Sequence, residues 1–309
     1  MSVQDSADAN KHNANDDSSH HLINEEKTDD IKENLSKEKV SNPFFFPERF
    51  LDIGLRLHDV AVAKFPVSHD PLTHLENIMA LPMRQDDVVI VAFPKCGTHW
   101  VSDMLYMLTR GSVQYMEKSK ECEMFEYVND LFSLEERPSP RILNTHLYMR
   151  VLPREIIKKK IKIVHLVRNP KDVAVSYFHH LKQYASHEFT FHRFLQGYMM
   201  DHYMSSSHQI NYVKQMAEFC SAHPEHPIIT VSYEELKQDA VAVVRDLAQF
   251  LDVTANEKLF QEIVSACSFE KLKSKDETRS FPQNLQGTAP DQKRINLYRK
   301  GEHSILLLE

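Results

Sequence analysis

Four short, almost unbroken apolar runs punctuate this chain, and helical spacing of apolar positions follows three of them. Asp87-Val88-Val89-Ile90-Val91-Ala92-Phe93 is the clearest, with the pattern of a strand buried on both faces. Behind it, Val101, Met104, Leu105 and Leu108 fall at i, i+3, i+4 and i+7, and Gly111 supplies a helix stop. Residues 141–146 predict a second strand and 161–167 a third. Asn169-Pro170 then offers an N-cap and a first-turn proline for a helix holding Val173 to Leu181. Residues 227–233 predict a fourth strand, and the helix after it places Val244, Leu247, Ala248 and Leu251 on one face. Strands alternating with helices predict an α/β fold, a central parallel sheet flanked by helices on both faces. No internal repeat is visible.

The first 42 residues break this pattern. They are rich in Asp, Asn, Ser, Lys and His, nearly lack large apolar side chains, and carry ten acids against five bases. Such a segment cannot bury enough surface to offset its ordering entropy, so residues 1–42 are expected to be a disordered acidic tail. One domain is expected over 43–309, beginning at Pro43-Phe44-Phe45-Phe46-Pro47.

Of the formal net charge of −7, the tail holds −5. The body is thus almost neutral, with no basic block for nucleic acid. The 309 residues can build a sizeable core without disulfides or a structural metal. Cys96, Cys122, Cys220 and Cys267 are widely spaced with no Cys-x-x-Cys pair, so no metal site is expected and a reduced compartment fits. No apolar stretch approaches the ~18 residues that span a bilayer. The N-terminus lacks the form of a secretion signal. A soluble cytoplasmic protein with no membrane partner is expected.

The chemistry concentrates in Phe93-Pro94-Lys95-Cys96-Gly97-Thr98-His99-Trp100, between the first strand and its helix. A tight turn there points backbone N–H groups at one spot beside the positive end of a helix dipole, an anion site. Gly97 permits close approach, Thr98 adds a hydroxyl and Lys95 a mobile charge. Trp100, the single tryptophan, either meets a flat ring or anchors the helix in the core. The Gly-x-x-x-x-Gly-Lys-Ser/Thr of a nucleotide-hydrolysing loop is absent, because the lysine precedes the only glycine.

This loop resembles the 5′-phosphosulfate loop of the cytosolic sulfotransferases, Tyr-Pro-Lys-Ser-Gly-Thr-Thr/Ser-Trp. Further matches follow in that family's order. Arg168-Asn169-Pro170-Lys171-Asp172, with Ser176, is similar to its second signature, and the resemblance implies that Arg168 and Ser176 hold the 3′-phosphate of 3′-phosphoadenosine 5′-phosphosulfate (PAPS). A guanidinium fork with a hydroxyl suits a phosphate monoester. A surface pair between Arg168 and Asp172 is the competing reading. Tyr233 in Ser232-Tyr233-Glu234-Glu235-Leu236, and Cys267-Ser268-Phe269 with Leu272, resemble segments around the adenine. Arg299-Lys300-Gly301 resembles the Arg-Lys-Gly that closes on the 3′-phosphate. Thr145-His146-Leu147 resembles Lys-Thr-His-Leu, which implies that His146 is the base at the acceptor and Lys95 the stabiliser of the leaving oxygen.

The resemblance implies a nucleotide-kinase-like sulfotransferase fold, PAPS as sulfuryl donor with no metal, and a small-molecule acceptor: an alcohol, phenol, steroid or amine. Phe44, Phe45, Phe46, Phe125, His179 and His180 are candidates to line the acceptor pocket. Three departures stand out. Asn144 replaces a lysine, Cys96 and His99 replace hydroxyl residues of the loop, and after Gly301 the chain runs Glu302 to Glu309 without the family's Gly-Asp-Trp-Lys-Asn and final helical region. A truncated form is expected from the last, which leaves the family's C-terminal dimer contact without a basis. The alternative reading is a catalytically impaired nucleotide-binding relative with a regulatory role. A nucleotide kinase of similar architecture is more distant.

Overall fold

The computed structural model describes residues 70–183, 189–199, 208–282 and Tyr298, together with the backbone of three short strands. Those strands, β1 (Leu35–Ser36), β2 (Leu55–Leu57) and β3 (Val60–Val62), form an antiparallel ladder in the order β1-β2-β3. Leu35–Ser36 falls inside the segment expected to be a tail. The remainder of that segment lies outside the described residues.

The four apolar runs become β4 (Val88–Ala92), β5 (Ile142–Thr145), β6 (Lys162–Val167) and β7 (Ile228–Ser232), a parallel sheet in the order β5-β4-β6-β7. Every residue of β4 is buried. Successive side chains of a strand point to opposite faces, so both faces of the sheet are covered there, as the unbroken apolar run predicts. The α/β fold class stands.

Ten helices accompany the sheet among the described residues. They are α1 (Pro71–Ala80), α2 (Thr98–Arg110), α3 (Glu155–Lys158), α4 (Pro170–Lys182) and α5 (Phe191–Met199), then α6 (Gln209–Ala222), α7 (Tyr233–Gln238), α8 (Ala240–Phe250), α9 (Glu257–Ala266) and α10 (Phe269–Asp276). Gly111 ends α2 at φ +61°, and the Asn169 side chain caps α4 by accepting from the Lys171 amide at 3.0 Å. The segment after β7 holds two helices where the apolar spacing predicts one. Ser232 and Glu235 form a capping box that starts α7, and Asp239 ends it while capping α8.

Register decides where the loops meet. Val91 pairs with Thr145, Ala92 with Leu166 and Val167 with Ser232. The chain therefore leaves β4, β5, β6 and β7 at one edge of the sheet. It runs from β4 to β5 on one side and returns to β6 on the other, so the order reverses at β4 and opens a crevice outside its carboxyl end. At that end Phe93 meets Tyr177, Tyr198 and Tyr212 edge-on, with centroids 5.9–6.4 Å apart, and this ties β4 to α4, α5 and α6. At the opposite end the buried pair Arg141–Asp87, with Nε to Oδ1 at 2.7 Å, locks β5 beside β4.

Candidate functional site

The turn after β4 is shaped by two residues in the left-handed region. Gly97 has φ +99°, and a Cβ there would lie 2.9 Å from the Tyr233 ring, so only glycine fits. Lys95 has φ +73°, a conformation that costs a non-glycine residue on the order of 1–3 kcal/mol. Arg168 holds it in place, donating from Nη1 to the Lys95 carbonyl at 3.0 Å. Gly97 is also the N-cap of α2 and has no side chain to offer, so the first amides of α2 are left uncapped. Uncapped amides at a helix start, beside a lysine, form an anion cradle.

Arg168, Tyr233 and Trp100 build the neighbouring wall. The Arg168 guanidinium lies 3.9 Å from the centre of the Tyr233 ring, and Trp100 meets that ring edge-on at 5.8 Å. Trp100 thus both touches a flat ring and packs on the core. Arg168 Nε and Trp100 Nε1 are buried donors with no hydrogen-bond acceptor among the described residues. Arg168 thus binds both the loop carbonyl of Lys95 and the face of Tyr233.

His146 follows β5 directly, on the other side of β4. Its Nδ1 is 2.7 Å from the Ala92 carbonyl. A carbonyl only accepts, so Nδ1 carries the proton and Nε2 keeps its lone pair. Burial, reinforced by the charge of Lys120, lowers the His146 pKa to about 3. The ring is therefore neutral at physiological pH, with one nitrogen ready to take a proton. Lys95 is lowered to about 8, first by burial and then by Lys120. Cys96 is buried and its thiol is pushed up to about 12, so its side chain is inert.

A profile described as "Sulfotransferase domain" matches residues 85–304. The chain belongs to the sulfotransferase family. It is a sulfotransferase, an enzyme that moves a sulfuryl group to a small-molecule acceptor. Sulfotransferase 1E1 of Cavia porcellus is 32% identical over 243 residues, which cover 74% of this chain and 79% of the relative. Sulfotransferase 1B1 of Canis lupus familiaris is 29% identical over 267 residues, 82% of this chain and 87% of the relative. Among solved structures, mouse sulfotransferase SULT7A1 complexed with PAP superposes with a TM-score of 0.61 at 23% identity, covering 80% of this chain and 85% of that one. Retinol dehydratase in complex with androsterone and inactive cofactor PAP gives 0.59 at 19% identity, covering 75% and 78%. At those identities the structures speak for the fold alone, and it is the sulfotransferase fold.

The remaining candidate residues of this sulfotransferase are dispersed. Thr98 is buried at the start of α2. His99 donates from Nε2 to Glu121 at 2.7 Å, and burial lowers its pKa to about 4. Ser176 is half-buried two turns into α4, and no hydrogen bond among the described residues joins it to Arg168. Cys267 and Leu272 belong to the hydrophobic core, Cys267 with its sulfur 3.9 Å from that of Met107. Ser268 is the exposed N-cap of α10. Phe269 reaches the loop through Tyr298, whose ring lies 6.0 Å from Phe269 and 6.3 Å from His99. Arg299, Lys300 and Gly301 lie outside the described residues, as do Phe44, Phe45 and Phe46. Phe125 is fully buried, a core residue rather than an exposed wall.

Sequence reasoning passed over Lys120, Glu121, Glu126 and Tyr298. The turn Lys120–Glu123 has no apolar periodicity and no family motif, yet it carries Lys120 and Glu121 beside Asn144 and His99. Glu126 accepts from the His146 amide, and burial raises its carboxyl to about 7.

Proposed function

We propose that this sulfotransferase transfers the sulfuryl group of PAPS to a hydroxyl or amine of a small molecule in the cytoplasm, with His146 as base. The observation that carries the reading is the neutral His146 ring, fixed through Ala92 so that Nε2 is free, next to the anion cradle opened by β4. Two buried donors on Arg168 and Trp100, without an acceptor among the described residues, fit a nucleotide that brings both phosphate and a planar base. The donor supplies an activated sulfur–oxygen bridge. The amides of α2 and Thr98 hold the 5′-phosphate as fixed dipoles. Arg168 and Ser176 take the 3′-phosphate, with Arg299, Lys300 and Gly301 assigned to the same phosphate by the family resemblance alone, and Tyr233 and Trp100 flank the base. His146 Nε2 accepts the acceptor proton as the acceptor oxygen or nitrogen bonds to sulfur. Lys95 stabilises the oxygen released when the bridge breaks, and its pKa near 8 also lets it supply a proton there.

The test separates binding from transfer. The full chain should be retained on immobilised adenosine 3′,5′-bisphosphate and pass labelled sulfate from PAPS to members of an acceptor panel. His146→Ala should keep nucleotide affinity while transfer falls ~10²–10⁴-fold. Folded protein that does not bind the nucleotide, or a variant as active as wild type, would overturn the assignment.

A further inference from the structure

Lys120 is 3% exposed, is held by Asn144 two residues before His146, and needs an explanation. Withdrawing an ammonium from water is costly unless it is well paired. The pairing of Lys120 is partial. Nζ donates to Asn144 Oδ1 at 3.0 Å, and Asn144 Nδ2 donates back to the Lys120 carbonyl at 2.9 Å. This reciprocal clamp orients the side chain but brings no negative charge. The nearest carboxylate oxygen, Glu121 Oε1, is 3.6 Å away and already accepts from His99 at 2.7 Å. The third neighbour is the Met124 sulfur at 3.7 Å.

The clamp also fixes where the charge points. Asn144 and His146 are two residues apart on β5 and its extension, hence on one face. The ammonium held by Asn144 therefore lies on the His146 side of the sheet. Among the charged groups of the described residues, Lys120 contributes most to lowering both His146 and Lys95. Position 144 itself carries an amide, so the cation on this face comes from the turn Lys120–Glu123, not from the strand.

We infer that Lys120 is a second cation of the transfer site, presented by Asn144 to the anionic sulfuryl end of the donor. This rests on the sulfuryl-transfer reading above. A desolvated cation fixed before the reaction begins stabilises charge where it develops, without reorganising. Asn144 is then a positioning residue whose carbonyl oxygen aims the ammonium.

The test uses the full chain, Lys120→Met, and the double variant Lys120→Met/Asn144→Lys, which returns a charge to the same face from β5. Two readouts are taken: initial rates with PAPS and an acceptor, and calorimetric affinities for PAPS and for adenosine 3′,5′-bisphosphate. Lys120→Met should lower kcat ~10²-fold with the acceptor KM unchanged. It should reduce the preference for PAPS over the bisphosphate, and the double variant should recover most of both. A kcat and a PAPS preference equal to wild type would overturn the inference. So would equal loss of affinity for both nucleotides without rescue, which marks a structural role. If wild type binds nucleotide but transfers nothing, the transfer reading fails, and the PAPS-to-bisphosphate ratio still decides whether Lys120 faces the sulfuryl group.

Discussion

Acidification from pH 7.5 to 5.5 should weaken this fold by at least ~2 kcal/mol, the difference between two opposing sets of buried groups. Burial drives His146 down to about 3 and His99 and His165 down to about 4, against 6.5 for a free side chain. Such histidines are neutral in the fold and charge only on unfolding. Their contribution is intact above the unfolded value and drains away as the pH falls toward the folded one. At pH 5.5 a free histidine is mostly protonated, so each costs ~1.4 kcal/mol and the three together ~4 kcal/mol. Glu126 works the other way. Burial raises it from 4.5 to about 7, so the folded protein takes up this proton first and regains ~2 kcal/mol over the same interval. His180 and His226 are also lowered by burial and deepen the loss. Urea titrations at pH 7.5, 6.5 and 5.5, read by the fluorescence of the single tryptophan Trp100, measure the net change. Glu126→Gln removes the opposing arm, and its loss should reach at least ~4 kcal/mol over the same interval. Stability that rises on acidification, or a Glu126→Gln profile parallel to wild type, would refute the reasoning.

Two further outcomes are expected. Gly97→Ala places an L-residue at φ +99° against a ring held by Arg168 and Trp100, so adenosine 3′,5′-bisphosphate affinity measured by calorimetry should fall ~tenfold or more, with a backbone cost of ~1–2 kcal/mol. Unchanged affinity would remove the loop from the binding site. Asp103→Ala strands the buried Arg279 guanidinium, which donates from Nη1 to Asp103 at 2.9 Å and from Nε to the Met116 carbonyl at 3.1 Å; the expected cost is ~3–5 kcal/mol, read in a urea melt. A loss below ~1 kcal/mol would show the pair to be solvent-screened.

Arg279 also shows where legibility ended. It joins α2 to a segment 176 positions later, and nothing in the spacing of either announces the other. By contrast, each strand could be read from its own residues, because a parallel strand buried on both faces must be apolar throughout and a helix must repeat its apolar positions at 3.6. The split of the helix after β7 was missed because Ser232, Glu235 and Asp239 end and begin helices through local hydrogen bonds that apolar periodicity does not register. Cys267 and Leu272 match a motif by position, and only the packing places them in the core, since a motif records order along the chain and not which side of a helix looks inward.

The sequence by itself determined the parallel α/β arrangement, the glycine turn at the head of α2, the Asn169-Pro170 helix start and the presence of His146 at a strand end. All of these follow from backbone preferences and short-range pattern. Only the tertiary structure decided the protonation of His146, through the Ala92 carbonyl 54 positions earlier, and the stacking of Arg168 on Tyr233. It alone brought Lys120 to Asn144 across 24 positions. Those are contacts between elements, set by strand register and by the turn at 120–123, and no local period encodes them.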